Sequence, residues 1–580
     1  MKRIITLLSP VLLLPFLLGA QSNIHPTNPI VAEVLLGNYD PASFAAATAI
    51  TEPAIIAAGI DAGISPDSLK SYITRLSQFG TRNSASDTLS PTTGIGAARR
   101  WVYQKFESFS GQNENRLLVS YLQFDQNICD VGQHRNIMAV LPGSNPARNG
   151  VILIEGHIDS RCDILCDTTC PAQGVEDNAS GTALVMELAR VMAKYTFENT
   201  LVFMVTTGEE QNLVGARAFA QYVKNNNIPL RAVLNNDVIG GVICGQTSSP
   251  PSCSGFNTID STSVRLFSSG NYNSPHKQLA RFIKLQYLEN ILPITQVPMN
   301  VRIMAPEDRS GRGGDHIPFR QNGYPAMRFT AANEHGDASN GPAYTDRQHT
   351  SDDILGVDTD ADGEVDSFFV QFNYLARNAV INGAAAAIAA RNVPTPPDFS
   401  AIRSNAGIII VDITDTANTG VYRVALHTIG HDWDTVYTLT GATQGAFPAP
   451  PSGILYVSVA AVDEEGAESL FSGEKLILVT GTSGPEEEEQ KAVHLLPNRP
   501  NPFDEATWIS FWVNQMPEYR RASIQITDMQ GKIVEQIPVK LQAGHNEVLY
   551  THGYGVRGTF TYALQIDGRI VDARQMVYAN

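Results

Sequence analysis

Positive charge is scarce in this sequence. Its 580 residues carry 41 Lys and Arg against 58 Asp and Glu, a formal net charge of −17. Such a chain offers no basic footprint to nucleic acid or to an anionic membrane surface, so neither is expected as a partner. Long apolar runs are missing as well. Beyond the extreme N-terminus none approaches the roughly 18 residues that signal a membrane span. There is no Gly-x-x-x-x-Gly-Lys phosphate loop and no glycine-rich dinucleotide fingerprint, which argues against nucleotide-driven chemistry. No internal repeat is visible. What remains is the composition of a folded protein, 43% hydrophobic and 17% charged, in a chain long enough for about three or four domains.

Cysteine is sparse but even in number, with six residues. Residues 1–20 have the build of a signal peptide. Lys2 and Arg3 precede the short apolar stretch from Leu7 to Leu18, which Pro10 and Pro15 interrupt, and Gly19-Ala20 stand before a cut. Export implies an oxidising space and disulfides. Cys244 and Cys253 flank the Pro250-Pro251 turn and are the expected pair, leaving Cys129, Cys162, Cys166 and Cys170. The spacing of the last three also fits a metal knuckle, but structural zinc sites favour shorter Cys-x-x-Cys pairs, so bridging is the better reading.

Residues 21–65 read as a leader into a larger domain over 66–393. There, apolar strand-like runs (Val151 to Ile154, Leu201 to Val205, Ala232 to Leu234) alternate with helical stretches (Pro66 to Phe79, Ala183 to Lys194, Gly215 to Lys224, Phe368 to Ala390). Leu184, Val185, Leu188, Val191 and Met192 fall on one helical face. Continuous apolar strands are expected where helices cover both faces of a mostly parallel twisted sheet, so the fold class is α/β. Pro394 to Pro397 make a stiff linker. Residues 398–480 then switch to short strand signals and read as an all-β sandwich. Residues 481–491, with four consecutive glutamates, form an acidic spacer, and 492–580 are a second β-rich module.

The α/β region carries its chemistry at strand ends. His157-Ile158-Asp159 follows one apolar run, Glu209-Glu210 another and Asp237 a third; Asp177-Asn178 precedes a helix, and His349 lies later. In an open parallel sheet the C-terminal strand ends meet at one crevice. Two histidines with several carboxylates and no cysteine suit zinc or another borderline divalent metal. Of two adjacent glutamates, one can bind metal while the other faces the attacked water. Asp159 is placed to hold the His157 ring through its other nitrogen. Singly, each motif is ordinary; as an ordered set they point to a metal centre. Spacing alone leaves His316 and His335 as rivals of His349.

These residues resemble the secreted di-zinc aminopeptidases of metallopeptidase family twenty-eight, which also holds glutamate carboxypeptidases and glutaminyl cyclases. The likeness covers about residues 70–390. It rests on Gly156-His157-Ile158-Asp159-Ser160, Gly174 to Gly181, Thr207-Gly208-Glu209-Glu210, Asn236-Asp237, Gly314-Asp315-His316-Ile317-Pro318-Phe319 and His349-Thr350-Ser351-Asp352-Asp353. The resemblance implies two Zn2+ per chain. His157 and Asp237 would bind the first, Glu210 and His349 the second, and Asp177 would bridge them. It further implies Glu209 as general base, Asp159 as the residue orienting His157, peptide substrates, and His349 in preference to His316 and His335. Residues 398–480 resemble a fibronectin type III domain, through Leu455 to Asp463. Residues 492–580 resemble the C-terminal sorting domain of the type IX secretion system, through Pro497 to Phe503 and Gly558 to Leu564. That implies passage through periplasm and outer membrane, partnership with the secretion machinery, and a secreted or surface-attached product.

Three features depart from the family pattern. The loop from Arg161 to Gly174 holds three cysteines. Arg309, Arg312 and Arg347 lie near site motifs and would suit a substrate carboxylate, which keeps carboxypeptidase activity in play. Asp358, Asp360, Asp362, Glu364 and Asp366 alternate around Gly363 as calcium ligands do, although Phe369 stands where an EF-hand closes with glutamate. The expectation is an exported di-zinc aminopeptidase. The alternatives are a carboxypeptidase, a glutaminyl cyclase-like acyltransferase and an inactive surface-binding protein.

Overall fold

The computed structural model describes residues 21–579 except 148–149, 244–257, 271–273, 305–312, 334–346, 392–395, 404–407, 416–418, 429–431, 449–452, 465, 480–491, 529–531 and 554–556. The stretch 1–20, the Cys244–Cys253 pairing, Arg309, Arg312, His335 and the acidic spacer therefore lie outside the described residues.

The α/β body runs β1 (Ser22–Pro26), α1 (Pro29–Leu35), α2 (Pro53–Gly63), α3 (Pro66–Ser77), α4 (Gly94–Gln112), β2 (Leu118–Ile128), β3 (Val131–Leu141), β4 (Val151–His157), α5 (Ser180–Met192), β5 (Thr200–Thr206), α6 (Val214–Asn225), β6 (Leu230–Asn236), β7 (Ser263–Ser268), α7 (Pro275–Gln286), β8 (Asn300–Ile303), α8 (His316–Gln321), β9 (Ala326–Ala331) and α9 (Phe372–Ala389). The strands form one sheet in the order β1-β2-β3-β5-β4-β6-β9-β7-β8. Its centre, β5-β4-β6-β9, is parallel. The β2–β3 hairpin and β7 flank that centre in antiparallel pairing.

The apolar runs read in the sequence are these central strands, buried along their length. Ile152 and Ile154 of β4 enter the core shared with α2, α3, α5 and α9, while Val151 and Leu153 enter the opposite core with α1 and α6. Each such side chain contributes about 1.5–3 kcal/mol by leaving water. Helices start where the sequence provides stops and caps. At α3, Ser65 accepts the Ser68 N–H at 3.2 Å and Pro66 occupies the first turn.

Residues 21–65, read above as a leader, are part of this body. β1 is the sheet's edge strand against β2, Val31, Val34 and Leu35 of α1 fill one core, and Ile56 and Ile60 of α2 fill the other. These segments are too short to reveal by periodicity that they complete the sheet and its cover.

Two β-sandwiches follow. In the first, Asp398–Arg403, Ile408–Thr414 and Gln444–Pro448 face a four-stranded sheet of Thr435–Thr440, Val421–His427, Gly453–Val462 and Lys475–Val479. Residues 492–579 repeat the division into three and four strands. The first sandwich docks on α7 through Arg281 to Glu474, Lys284 to Asp432 and an apolar contact of Leu285 with Ala425, Ala460 and Phe471. Trp508 of the second packs on Ile454 and Tyr456 of the first. Among the described residues no helix is long and apolar enough to cross a membrane.

Candidate metal centre

The parallel centre of the sheet sends its C-terminal ends to one edge, and the ligand-type side chains gather there. His157 is the last residue of β4. Asp237 directly follows β6, and Glu209 and Glu210 come shortly after β5. Asp177 lies in the tight turn Val175–Ala179 that leads into α5. His349 arrives from far along the chain, with φ of +57°.

Asp177 stands between the two imidazoles. Its Oδ1 is 3.2 Å from His157 Nε2 and its Oδ2 is 3.1 Å from His349 Nε2. Asp237 Oδ1 lies 3.3 Å from His157 Nε2, and Glu210 Oε2 lies 3.1 Å from His349 Nε2. The donor atoms of His157, Glu209 and Asp237 lie within 4.8 Å of one another, as do those of Asp177, Glu210 and His349. His316 is buried at the start of α8 and belongs to neither group.

The supports of these side chains are themselves buried. Asp159 works differently from the sequence reading. His157 Nδ1 is bonded to the Asp159 backbone carbonyl at 3.0 Å, while the nearer carboxylate oxygen is 3.7 Å away. That carboxylate instead accepts the N–H groups of Glu209 at 3.3 Å and Glu210 at 3.2 Å. One residue thus fixes His157 with its backbone and the glutamate pair with its side chain. Asp353 accepts the N–H groups of Glu176 and Asp177 at 2.8 and 3.0 Å, which fixes the turn carrying the shared carboxylate. Arg82, fully buried, donates to the carbonyls of Ile158 and Gly174. Neither Arg82 nor the role of Asp353 was read from sequence; the position of Asp353, just after His349, was the available signal.

The electrostatics call for cations. Burial opposes an imidazolium at His157, yet its bonds to Asp159, Asp177 and Asp237 hold it well above its ordinary range. Burial likewise opposes His349, but Glu210 and Asp177 keep it at about 9. Burial would raise Asp177, and the two histidines instead bring it well below the usual carboxylate range. Burial pushes Glu209 well up, and Asp237, Glu210 and Asp315 push further. Protons on the histidines therefore compensate the carboxylates where a divalent metal would do so. Two imidazoles, oxygen donors and the unpartnered buried Glu210 Oε1 make a donor set that suits zinc.

The cysteine-bearing loop walls one side. Cys162 pairs with Cys170, and Cys166 pairs with Cys129. The knuckle reading is thereby corrected, because bridged sulfurs carry no thiolate for a metal. Cys129 and Asp130 make the β2–β3 turn with positive φ, so the hairpin tip is tied to this loop. Arg161 at the loop's start enters the site, bonding Glu210 Oε2 through Nε at 2.8 Å and His349 Nδ1 through Nη2 at 2.7 Å. Sequence reading weighed other arginines. Of those, Arg347 lies over the Phe369 ring at 3.4 Å.

The loop 358–366 is apart and exposed. Carboxylate oxygens of Asp358, Asp360 and Asp366 come within 4.8 Å of one another, and no ion is present there. Asp362 and Glu364 are not in that group; Asp362 accepts the Glu364 N–H at 2.8 Å.

Comparison with known proteins places this geometry. Residues 136–373 match Peptidase family M28, a span holding every residue of both donor groups. A probable zinc metalloprotease of Leptosphaeria maculans is 33% identical over 334 residues, covering 55% of this chain and 73% of the relative. Another, from Pyrenophora tritici-repentis, is 30% identical over 428 residues, covering 70% of this chain and 84% of the relative. The solved Legionella pneumophila LapA aminopeptidase superposes at a TM-score of 0.41 with 18% identity, over 58% of this chain and 75% of that one. With the donor set standing inside the matched span and a third of the residues shared across most of a zinc metalloprotease, the chain belongs to peptidase family M28 and is a zinc metallopeptidase.

Proposed function

We propose that the protein is an exported exopeptidase holding two zinc ions, and that it removes residues from the amino ends of peptides. The observation that carries this reading is the Asp177 carboxylate, which faces His157 with one oxygen and His349 with the other. His157 and Asp237 would hold one zinc, Glu210 and His349 the second, with Asp177 shared. Bound zinc supplies Lewis acidity, polarising a carbonyl and acidifying water.

The chain's own residues move the proton and hold the geometry. Glu209 takes the proton from the attacking water and delivers it to the leaving amine. Its surroundings raise its proton affinity, as a shuttle between those two steps requires. Asp159 keeps Glu209 and His157 in register. Amine recognition is favoured over carboxylate recognition because the cluster is acidic, Arg161 is engaged by Glu210 and His349, and Arg347 is stacked on Phe369.

The disulfides support an oxidising compartment. The division of 398–479 into three and four strands supports a fibronectin type III-like spacer, and the terminal sandwich is assigned to type IX sorting. Fractionation of cells lacking 492–580 tests the latter: retention in the periplasm supports it, and unchanged release sinks it.

The central test measures zinc per chain alongside release of amino acids from unblocked and N-blocked peptides. Two zincs and cleavage of unblocked peptides alone are expected. Glu209→Gln should keep its zinc and lose about 10²–10⁴-fold in kcat. Cleavage of N-blocked peptides from the carboxyl end would move the specificity to a carboxypeptidase. Metal with no turnover on either set would remove the exopeptidase reading in favour of an acyltransferase or a binding protein.

A further inference from the structure

Arg161 is bound to both residues assigned to the second zinc. Its Nε donates to Glu210 Oε2 at 2.8 Å, and its Nη2 lies 2.7 Å from His349 Nδ1. A guanidinium carries donors only, so His349 Nδ1 must be the acceptor and bear no proton. A neutral imidazole has one bare nitrogen. When Nδ1 spends its lone pair on Arg161, Nε2 carries the hydrogen, and it then meets Asp177 Oδ2 and Glu210 Oε2 at 3.1 Å each as a donor. A metal at Nε2 needs the opposite tautomer. Neutral His349 therefore serves Arg161 or a metal, not both.

Nothing comparable stands at the other histidine. His157 Nδ1 faces the Asp159 carbonyl at 3.0 Å, an acceptor, so the ring's hydrogen sits on Nδ1 and Nε2 is left bare toward Asp177 and Asp237. That is the arrangement a metal ligand requires. The two halves of the centre thus differ in readiness: one histidine is already in the ligating tautomer, and the other is held in the competing one.

The loop's construction keeps Arg161 in place. Its Nη1 donates to the carbonyls of Cys162 and Asp163 at 3.2 Å each. The backbone beyond it is stapled by Cys162–Cys170 and tied to the β2–β3 hairpin by Cys166–Cys129. The Arg161 side chain is 13% exposed, which leaves it a path outward when displaced.

We propose that Arg161 is a built-in competitor for the second zinc, so that the two metals bind in sequence, tightly beside His157 and more weakly beside His349. The second metal enters by displacing the guanidinium from Glu210 and His349. This inference rests on the two-zinc reading above and adds its regulation: the enzyme passes between one-metal and two-metal forms with zinc supply.

Titration calorimetry of Zn2+ into the metal-free full chain tests it. The wild type should show two steps of unequal affinity. Arg161→Met should tighten the second step by about 10–100-fold, the range seen when outer partners of metal ligands change, and leave the first step as in the wild type. If the first step also weakens, showing a damaged site, Arg161→Lys carries the test, because one ammonium cannot span both partners, and its second step should tighten too. A second step that is unchanged or weaker in an intact variant overturns the competitor role and leaves the two-zinc reading standing. A single zinc in both wild type and variant overturns both.

Discussion

The carboxylates around Asp177 come from four segments of chain and are held inside the fold, whereas those of the loop 358–366 come from one short stretch standing in solvent. In the loop the backbone neutralises the charges. Asp358 accepts the N–H groups of Gly363 and Ala361, and Asp366 accepts from Thr359. Those bonds hold both carboxyls below their ordinary range. At the buried cluster one Glu210 oxygen has no partner, and Asp177 is balanced by two histidines. The same acidic side chain therefore demands a cation in one place and merely tolerates one in the other. Burial makes the difference, because an unpaired charge away from water costs several kcal/mol and an exposed one costs almost nothing.

The sharpest way to break this comparison is to neutralise one carboxylate in each cluster. Asp177→Asn should lower bound zinc and cut turnover about a thousandfold or more, the worth of several kcal/mol of Lewis-acid stabilisation. Asp358→Asn should leave zinc content and kcat/KM unchanged. Equal losses in the two variants would mean the loop belongs to the active machinery.

A smaller effect should follow from metal removal. His349 is held at about 9 against an ordinary 6.5. A raised histidine stabilises the fold fully below about pH 6.5 and loses that contribution as pH climbs through about 9. The chelated protein should thus lose up to about 3 kcal/mol across this window, read as a falling Tm. Zinc-loaded protein should be nearly flat there, since a metal-bound imidazole has no proton to lose. Parallel Tm profiles with and without zinc would contradict the assignment of His349 to metal.

The smallest effect concerns the loop. We assign Ca2+ to Asp358, Asp360 and Asp366 as a surface cation site in the millimolar class. Adding Ca2+ should raise Tm by less than zinc does, and Asp358→Asn should abolish that rise. No rise at millimolar Ca2+ would leave the loop as a self-capped acidic turn.

Much of the catalytic body was legible because its signals are local. The apolar runs of β4, β5 and β6 are buried on both faces and so contain few polar residues. The end of such a run marks a sheet edge, which is why His157, Glu209, Glu210 and Asp237 were readable as neighbours in space. Other features lacked a local signal. β1 and α1 are short and complete the fold only by pairing with β2 and covering β5 and β6. The cysteine pairing depended on where the β2–β3 turn lands relative to the loop. Arg161 stood in the sequence just after the His157 motif, but nothing about an arginine there tells which way its guanidinium turns.

By itself, then, the sequence determined the alternation of strands and helices, the donor set at the strand ends and the family to which they belong. All of these are carried by residue type and spacing, and burial of apolar runs enforces them. Only the tertiary structure decided that Asp159 holds His157 by its carbonyl and the glutamates by its carboxylate, that residues 21–65 close the sheet, and that Arg161 lies against Glu210 and His349. Those outcomes depend on distances between segments remote in the chain, and hydrogen bonds and ion pairs are decided within fractions of an ångström that no spacing in the sequence encodes.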